Sequence, residues 1–164
     1  MEKIYVFLVC ALFLSCNDTA KIKANAVEKT TTVQEIPVSQ LKRDLEERGF
    51  QTFYYVDERT KDTVLMQQYF IAFLKKGPNR SSSKEEVDSL QRLHLAHLGR
   101  MYEQGFADIS GPFGDDGDIR GITIYNVPNL QMADSLANMD PMVKSGRLTI
   151  EIHPWWAAKG FKLR

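Results

Sequence analysis

Three histidines are the residues of this chain best suited to proton transfer near neutral pH, and two of them share one predicted helix. That helix carries an apolar stripe at helical spacing, formed by Val87, Leu90, Leu98 and Met101. His94 falls in the middle of the stripe and His97 near its edge, so both side chains point towards the rest of the domain. His94 is therefore either a hydrogen-bonded core residue or a group that exchanges protons with a ligand.

Other kinds of catalytic chemistry find less support in the sequence. The two cysteines are Cys10 and Cys16, so the rest of the chain has no thiol for catalysis, metal binding or a disulfide. No serine or threonine stands in a recognisable nucleophile motif. His94 and His97 have the i, i+3 spacing that can hold a metal ion, but the sequence fixes no carboxylate from another element beside them. We expect neither a metal nor another cofactor.

The elements that position the histidines follow from periodicity and from end signals. A capping box at Ser83 and Glu86 opens the histidine helix, and Gly105 ends it. Asn129 caps a second helix. The predicted order is strand 69–74, helix 84–104, strand 106–110, strand 121–127, the second helix, and strand 148–153. This order predicts an α+β fold, the ferredoxin-like βαββαβ sandwich.

Alternation along the strands predicts which side chains face the helices. We expect the helices to cover an apolar set: Ala107, Ile109, Ile122, Ile124, Leu148, Ile150 and Ile152. The opposite face then carries a mixed set: Phe106, Asp108, Ser110, Thr123, Tyr125, Thr149, Glu151 and His153. A second copy of the sheet placed on that face would enclose a cavity. Four residues are candidates for its wall, namely Asp108, Tyr125, Glu151 and His153.

The N-terminus has the pattern of a bacterial lipoprotein signal peptide. Lys3 precedes an apolar run, residues 4–14, which is shorter than the roughly 20 residues of a membrane-spanning helix. The run ends Phe13-Leu-Ser-Cys16, which predicts cleavage before Cys16 and lipid attachment to it, although Phe13 departs from the usual leucine. An ordinary secretory signal or a short uncleaved anchor is the alternative. The expected location is the bacterial cell envelope.

An N-terminal extension separates this signal from the main domain. Ser39 is predicted to cap a short helix, 40–47, that stops at Gly49. A strand at 50–56 and a turn at 57–62 follow. The whole chain then divides into a signal 1–15, a polar flexible tether 16–38, the extension 39–66, a main domain 67–160 and a tail 161–164.

An ordered succession of motifs in the main domain resembles the YCII-related domain family over about residues 68–160. The motifs are His94-Leu-Ala-His-Leu, Gly105, Gly111-Pro112, a Gly-Asp hairpin, Asp140-Pro141-Met-Val-Lys-Ser-Gly146 and Pro154-Trp155. The most similar branch has Lys-Lys-Gly-Pro at the end of its first strand, here Lys75 to Pro78. It also has Gly-Asp-Ile-Arg-Gly before its third strand, here Gly117 to Gly121.

The resemblance implies a dimeric α+β barrel, in which two sandwiches pair sheet to sheet. It also implies a characteristic histidine and aspartate, which by motif position are His94 and Asp140. Asp116 and Asp118 in the hairpin are second choices for the aspartate. Asp140 has a purely structural explanation as well, because an aspartate N-cap followed by a proline such as Pro141 starts a helix favourably.

A histidine–aspartate pair without a nucleophile favours general acid–base chemistry on a small molecule. We expect a cofactor-independent lyase or isomerase that acts on a small carboxylic or enol metabolite. The alternative is a non-catalytic dimeric module that binds a small ligand or serves a structural role at the envelope. The expected partners are a second copy and, through the lipid, the bilayer. Lys+Arg and Asp+Glu balance at 21 each, so a nucleic acid is not expected.

Overall fold

The computed structural model describes residues 36–80 and 83–163. The described residues form helices and one antiparallel sheet in this order: α1 Val38–Glu47, β1 Thr52–Val56, β2 Thr63–Lys76, α2 Lys84–Glu103, β3 Ala107–Pro112, β4 Ile119–Tyr125, α3 Leu130–Ala137, α4 Pro141–Lys144 and β5 Leu148–Ala158. The predicted signal peptide, Cys16 and the tether up to residue 35 lie outside the described residues.

The sheet has the strand order of a ferredoxin-like fold. β2 lies in the middle, paired with β5 on one side and with β4 on the other, and β3 pairs with the far side of β4. Every neighbouring pair is antiparallel. α2 connects β2 to β3, and α3 with the short α4 connects β4 to β5. The order β3-β4-β2-β5 with these two helical crossovers is the βαββαβ sandwich, so the predicted α+β fold class is confirmed.

The N-terminal extension contributes to the same sheet. β2 is longer than predicted, since it runs from Thr63 to Lys76 across the predicted boundary at residue 66, and its first residues pair with β1. α1 packs on this part of the sheet, where Leu45 and Phe50 bury Leu65. The extension is therefore an added helix and hairpin arm on the sandwich.

The start of α1 differs from the prediction. The helix begins at Val38, and the carbonyl oxygen of Pro37 accepts hydrogen bonds from the backbone N–H groups of Gln40 and Leu41 at 2.9 and 3.0 Å. The predicted Ser39 cap is wrong because Ser39 already lies inside the first turn. The predicted end is correct: Gly49 has φ +87°, the left-handed conformation in which glycine commonly follows a helix.

The helices cover a different set of β4 side chains from the one predicted. Tyr125 and Thr123 lie opposite Phe70 and Ala72 of β2, and all four point towards the helices. Ile122 and Ile124, which alternate with them, therefore point the other way. The prediction for β4 is wrong because it takes the apolar residues of the strand as the covered ones, whereas a tyrosine and a threonine are buried there. In β5 the prediction is correct, with Leu148, Ile150 and Ile152 towards the helices.

A register shift explains part of the error in β3. Ala107 pairs with Tyr125 and is buried, yet the next paired residue is Ile109, which lies opposite Ile124 on the helix-free side. The extra residue, Asp108, changes the alternation between the two positions, as a β-bulge does. Simple alternation from Ala107 therefore places Ile109 on the wrong face.

The side of the sheet away from α2, α3 and α4 has an apolar centre, which we call the open face. Its members are Ile71 and Phe73 of β2, Ile109 of β3, and Ile122 and Ile124 of β4. On the β5 side the open face carries polar residues, with Glu151 opposite Phe73 and His153 opposite Ile71. The predicted positions of Glu151 and His153 on this face are therefore correct.

The end of β5 also extends beyond the prediction. The strand continues from His153 through Pro154 and both tryptophans to Ala158, and it pairs with β2 along its whole length. A proline inside a strand is tolerated here because β5 lies at an edge of the described sheet, where a residue without an N–H need not interrupt a ladder.

Candidate functional site

The histidine and the aspartate singled out in the sequence are in direct contact. His94 Nδ1 lies 2.6 Å from Asp140 Oδ2, a short hydrogen bond between groups from α2 and from the loop before α4. The Asp140 side chain is 3 % exposed and that of His94 is 12 % exposed.

Both ends of α2 form as predicted: Ser83 Oγ accepts a hydrogen bond from the Glu86 N–H, and Gly105 follows the helix with φ +73°.

Asp140 performs two tasks with its two carboxylate oxygens. Oδ2 binds His94, while Oδ1 accepts the backbone N–H of Met142 at 2.8 Å and caps α4. Pro141 occupies the first turn of that helix, as its fixed φ favours. The structural explanation for Asp140 and its pairing with His94 therefore hold at the same time.

This contact determines which nitrogen of His94 is available. An ionised carboxylate only accepts hydrogen bonds, so the Nδ1–H of His94 donates to Asp140 and the neutral ring keeps a lone pair on Nε2. The carboxylate would also stabilise the ring once Nε2 takes up a proton. His94 is thus arranged as a proton acceptor whose reactive atom is Nε2.

His94 lies in the wall of a cavity of about 410 Å³ between α2 and the ends of β2, β3, β4 and β5. Much of the wall is apolar, and its apolar side chains come from α2, from α4 and from the strand ends: Leu74, Val87, Leu95, Leu98, Pro112, Met142 and Leu148. The polar wall residues besides His94 are Gln91, Ser110, Arg80, Arg120 and Arg147. A volume of this size suits a small organic molecule.

The three arginines were not predicted as site residues. Each stands alone among uncharged or mixed neighbours in the sequence, so no basic run marks them. Only the fold brings together Arg80 from the loop after β2, Arg120 from the start of β4 and Arg147 from the turn before β5. The one signal in the sequence is the Gly-Asp-Ile-Arg-Gly motif, which includes Arg120.

Tyr125 and Thr123 lie behind the pair rather than in the cavity. Both are almost fully buried on the helix side of the sheet, and they border a small gap together with Asp140. Burial, and after it the negative charge of Asp140, raises the pKa of Tyr125 well above its usual range. Tyr125 therefore stays neutral and borders the gap beside Asp140, and it does not line the cavity wall for which it was a candidate.

The remaining candidate residues do not line the cavity that contains His94. Asp108 accepts a hydrogen bond from Asn126 Nδ2 at 3.2 Å, and His153 is paired with Glu151 at 2.8 Å on the open face. The two hairpin aspartates contact other residues and not His94. Asp116 is fully exposed near Arg120, and Asp118 lies 3.9 Å from Lys75. Asp140 is therefore the aspartate that pairs with His94.

His97 does not join His94 in a shared site. It is 1 % exposed, and neither ring nitrogen has a hydrogen-bond partner within the described residues. Across residues 36–80 and 83–163, no group of three or more histidine, cysteine, aspartate or glutamate side chains could hold a metal ion. The described residues also contain no helix that is both long and apolar enough to cross a membrane.

Burial gives His97 a predictable effect on stability. Desolvation lowers its pKa, opposed by the charge of Asp140 and assisted by Arg100, His94 and Lys144. Below about pH 6.5 the unfolded chain binds a proton that folded His97 resists. The free energy of unfolding should therefore be highest above that pH and fall as the pH drops, by at most about 1.4 kcal/mol per pH unit for this residue.

Urea unfolding at pH 5 to 8 would measure this dependence. His97→Leu should remove the contribution of His97 to the pH dependence of the free energy of unfolding. At pH 7.5 this variant should be at least as stable as the unmodified chain, because two unpaired buried nitrogens disappear. His153→Gln, at an exposed histidine, should retain the dependence that His97 causes. An unchanged slope in His97→Leu would contradict the assignment.

Fold and site together define a ferredoxin-like α+β protein with a histidine–aspartate pair at an arginine-lined cavity. No known family profile matches this chain, and no curated protein matches it. Among solved structures, one similar chain is 5-chloro-2-hydroxyhydroquinone dehydrochlorinase (TftG) from Burkholderia phenoliruptrix AC1100, in complex with 2,5-dihydroxybenzoquinone. The two share 22 % sequence identity with a TM-score of 0.41, over 53 % of this chain and 92 % of the other. The chemistry of this chain is therefore inferred from its own residues.

Proposed function

We propose that this protein is a cofactor-independent acid–base enzyme of the lyase or isomerase type that acts on a small organic molecule. One observation carries the proposal: the 2.6 Å hydrogen bond from His94 Nδ1 to the buried Asp140, at the wall of a cavity of about 410 Å³. His94 is the catalytic residue, and Asp140 is the positioning residue that fixes its tautomer.

The proposed step is a proton transfer. Nε2 of His94 takes the proton from a carbon next to a carbonyl group, and the electron pair of the broken C–H bond forms an enolate. The imidazolium, stabilised by Asp140, then returns the proton at another position, or the enolate expels a leaving group. General acid–base catalysis of this kind typically contributes about 10²- to 10⁴-fold in rate.

Hydrogen–deuterium exchange tests this function at the proton-transfer step itself, whatever the final product is. Small cyclic and acyclic enolisable acids would be incubated with the protein in D₂O, and loss of the C–H signal would be followed by proton NMR. The unmodified chain should accelerate exchange of at least one compound, and His94→Ala should not. His153→Ala is the matched control, because it removes a histidine that also contacts a carboxylate but lies on the open face.

The exchange experiment also separates the two classes of function. A non-catalytic binding module would bind compounds in the cavity and leave their exchange rates unchanged. Equal exchange by the unmodified chain and by His94→Ala would likewise exclude His94 as the catalytic base. Either result would contradict an enzyme that works through His94.

Membership of the YCII-related family is part of the proposal. Its support is that the motifs behind the resemblance converge on one place: Gly111-Pro112 and Arg120-Gly121 line the cavity, and Asp140 contacts His94. Gly77 of the Lys-Lys-Gly-Pro motif abuts the backbone at Arg147, which also lines the cavity. Residues far apart in the sequence thus serve a single site.

We also propose that two copies pair through the open face. Its centre is apolar, with Ile109 38 % exposed in a single chain, and its rim carries Lys75 and Glu151 in contact at 3.1 Å. An apolar centre with a charged rim is the usual composition of a protein interface. Analytical ultracentrifugation of Ile109→Asp should show monomers where the unmodified chain forms dimers, and a monomeric unmodified chain would exclude the pairing.

The proposed location is the bacterial envelope, with a lipid on Cys16. The support is the sequence of residues 1–16 alone. Bacteria that express the protein and are grown with a radioactive fatty acid should label it, and Cys16→Ser should abolish the label. Equal labelling of both would exclude this anchor without affecting the proposal for the cavity.

A further inference from the structure

The charged side chains in the cavity wall are all positive. Arg80, Arg120 and Arg147 line it, and its described wall residues include no aspartate or glutamate. The chain as a whole has a formal net charge of zero, so this is a local concentration of charge rather than a general basic character. Cations gathered in a partly enclosed, largely apolar space attract anions strongly, since water screens them less there.

Arg147 in particular has an unused donor. Its Nη1 is fully buried, and no hydrogen-bond partner for it is found in the described part of the chain. A buried donor attached to a charged group carries a substantial penalty when it is unpaired. Because Arg147 lines the cavity, a ligand acceptor that draws the guanidinium towards it would remove that penalty.

The backbone holds Arg147 in a fixed position. Its carbonyl oxygen accepts the N–H of Gly77 at 2.9 Å and a guanidinium N–H of Arg80 at 3.1 Å. The residue before it, Gly146, has φ +71° and ends α4, where it turns the chain into β5. The same short helix begins at Asp140. One four-residue helix thus connects the partner of His94 with the cationic side of the cavity.

We propose that this cavity is the binding site of a small organic acid, whose carboxylate is held by Arg147 together with Arg80 or Arg120. The apolar wall, including Val87 and Leu98, receives the hydrocarbon part of the ligand. A bidentate guanidinium contact fixes the orientation of a carboxylate as well as its position. The ligand's carbon skeleton then extends towards Nε2 of His94. This last placement rests on the proposed function, whereas the anion site itself does not.

Binding measurements with matched acids and amides test the anion site directly. The probes are benzoate and succinate, each compared with its uncharged amide, benzamide and succinamide. Isothermal titration calorimetry of the full chain at pH 7 should show at least one acid binding about tenfold or more tightly than its amide, because a guanidinium makes a stronger hydrogen bond to a carboxylate than to a neutral amide oxygen. The affinity of that acid should fall as salt is added.

Variants of the arginine identify the residue responsible. Arg147→Gln should weaken binding of the acid about tenfold or more and leave binding of the amide unaffected. Arg147→Lys should be intermediate, because lysine keeps the positive charge but lacks the planar guanidinium that donates two parallel hydrogen bonds. Arg92→Gln is the charge-matched control, since Arg92 is exposed on α2 and outside the cavity wall. Near-ultraviolet circular dichroism would confirm that each variant keeps its fold.

The outcomes distinguish this site from the proposed enzyme. If His94→Ala binds the acid normally but exchanges no protons, both the anion site and the catalytic role of His94 stand. If acids bind through Arg147 and exchange is absent even in the unmodified chain, the anion site stands and the enzyme does not. If neither acid binds more tightly than its amide, or if Arg147→Gln and Arg92→Gln bind equally, the anion site is excluded.

Discussion

Asp140→Asn is expected to lower the rate of catalysed proton exchange by about 10²- to 10⁴-fold while the chain remains folded. In the folded chain, Asp140 Oδ2 accepts the hydrogen bond of His94 Nδ1. An asparagine amide in that position can donate to Nδ1, which moves the ring proton to Nε2. Nε2, the proposed proton acceptor, then has no lone pair with which to accept a proton.

Asparagine is the informative replacement because it separates the two tasks of Asp140. Asparagine is about as good an N-cap as aspartate, so its carbonyl oxygen can still accept the N–H of Met142 and start α4. Asp140→Ala would remove the cap together with the pairing. A loss of activity in Asp140→Asn therefore reports on His94 rather than on the helix.

The tautomer can be measured without any substrate. Nitrogen-15 NMR of the imidazole groups should show His94 with its proton on Nδ1 in the unmodified chain and on Nε2 in Asp140→Asn. Glu151→Gln is the matched control, since it changes the carboxylate that contacts His153 on the open face. If Asp140→Asn keeps the original tautomer and the full exchange rate, Asp140 is a helix cap and nothing more.

The elements of this fold could be predicted from local signals because their ends are chemically marked. Ser83 and Gly105 limit α2, and Asn129 Oδ1 accepts the N–H of Met132 at the start of α3, all as the sequence indicates. Such signals depend only on neighbours in the chain. The position of His94 on the inner side of α2 follows from helical spacing in the same way.

Tertiary features of the site could not be predicted in that manner. Which face of β4 is covered depends on its register with β2, and there the buried partner of Phe70 is Tyr125, whose hydroxyl group would suggest exposure. In β3, the extra residue Asp108 reverses the alternation, and it can be recognised only from the register of β3 with β4. The arginines come together only through contacts between segments that are far apart in the sequence. One example is the hydrogen bond that Arg80 Nη1 donates to the carbonyl oxygen of Arg147.

Gly77 follows β2 and contacts the turn between α4 and β5. This contact determines how closely the end of β2 and that turn can approach each other. Gly77 donates its N–H to the carbonyl oxygen of Arg147 at 2.9 Å. A Cβ atom at position 77 would lie 2.2 Å from the carbonyl oxygen of Gly146 and 2.7 Å from the carbonyl carbon of Arg147. Both neighbours are backbone atoms, which cannot rotate away as a side chain would.

Gly77→Ala is therefore expected to lower the free energy of unfolding by at least about 2 kcal/mol, within the range for overpacking a buried position. Gly99→Ala is the matched control: Gly99 lies within α2 with nothing within 4 Å of an added Cβ, so alanine there should stabilise the helix by about 0.5 to 1 kcal/mol. Urea unfolding of both variants measures the difference. Because the clash displaces the backbone that carries Arg147, Gly77→Ala should also weaken binding of the acid. Equal stability of the two variants would mean that β2 and β5 can separate freely at Gly77, and that the position of Arg147 is not fixed by this contact.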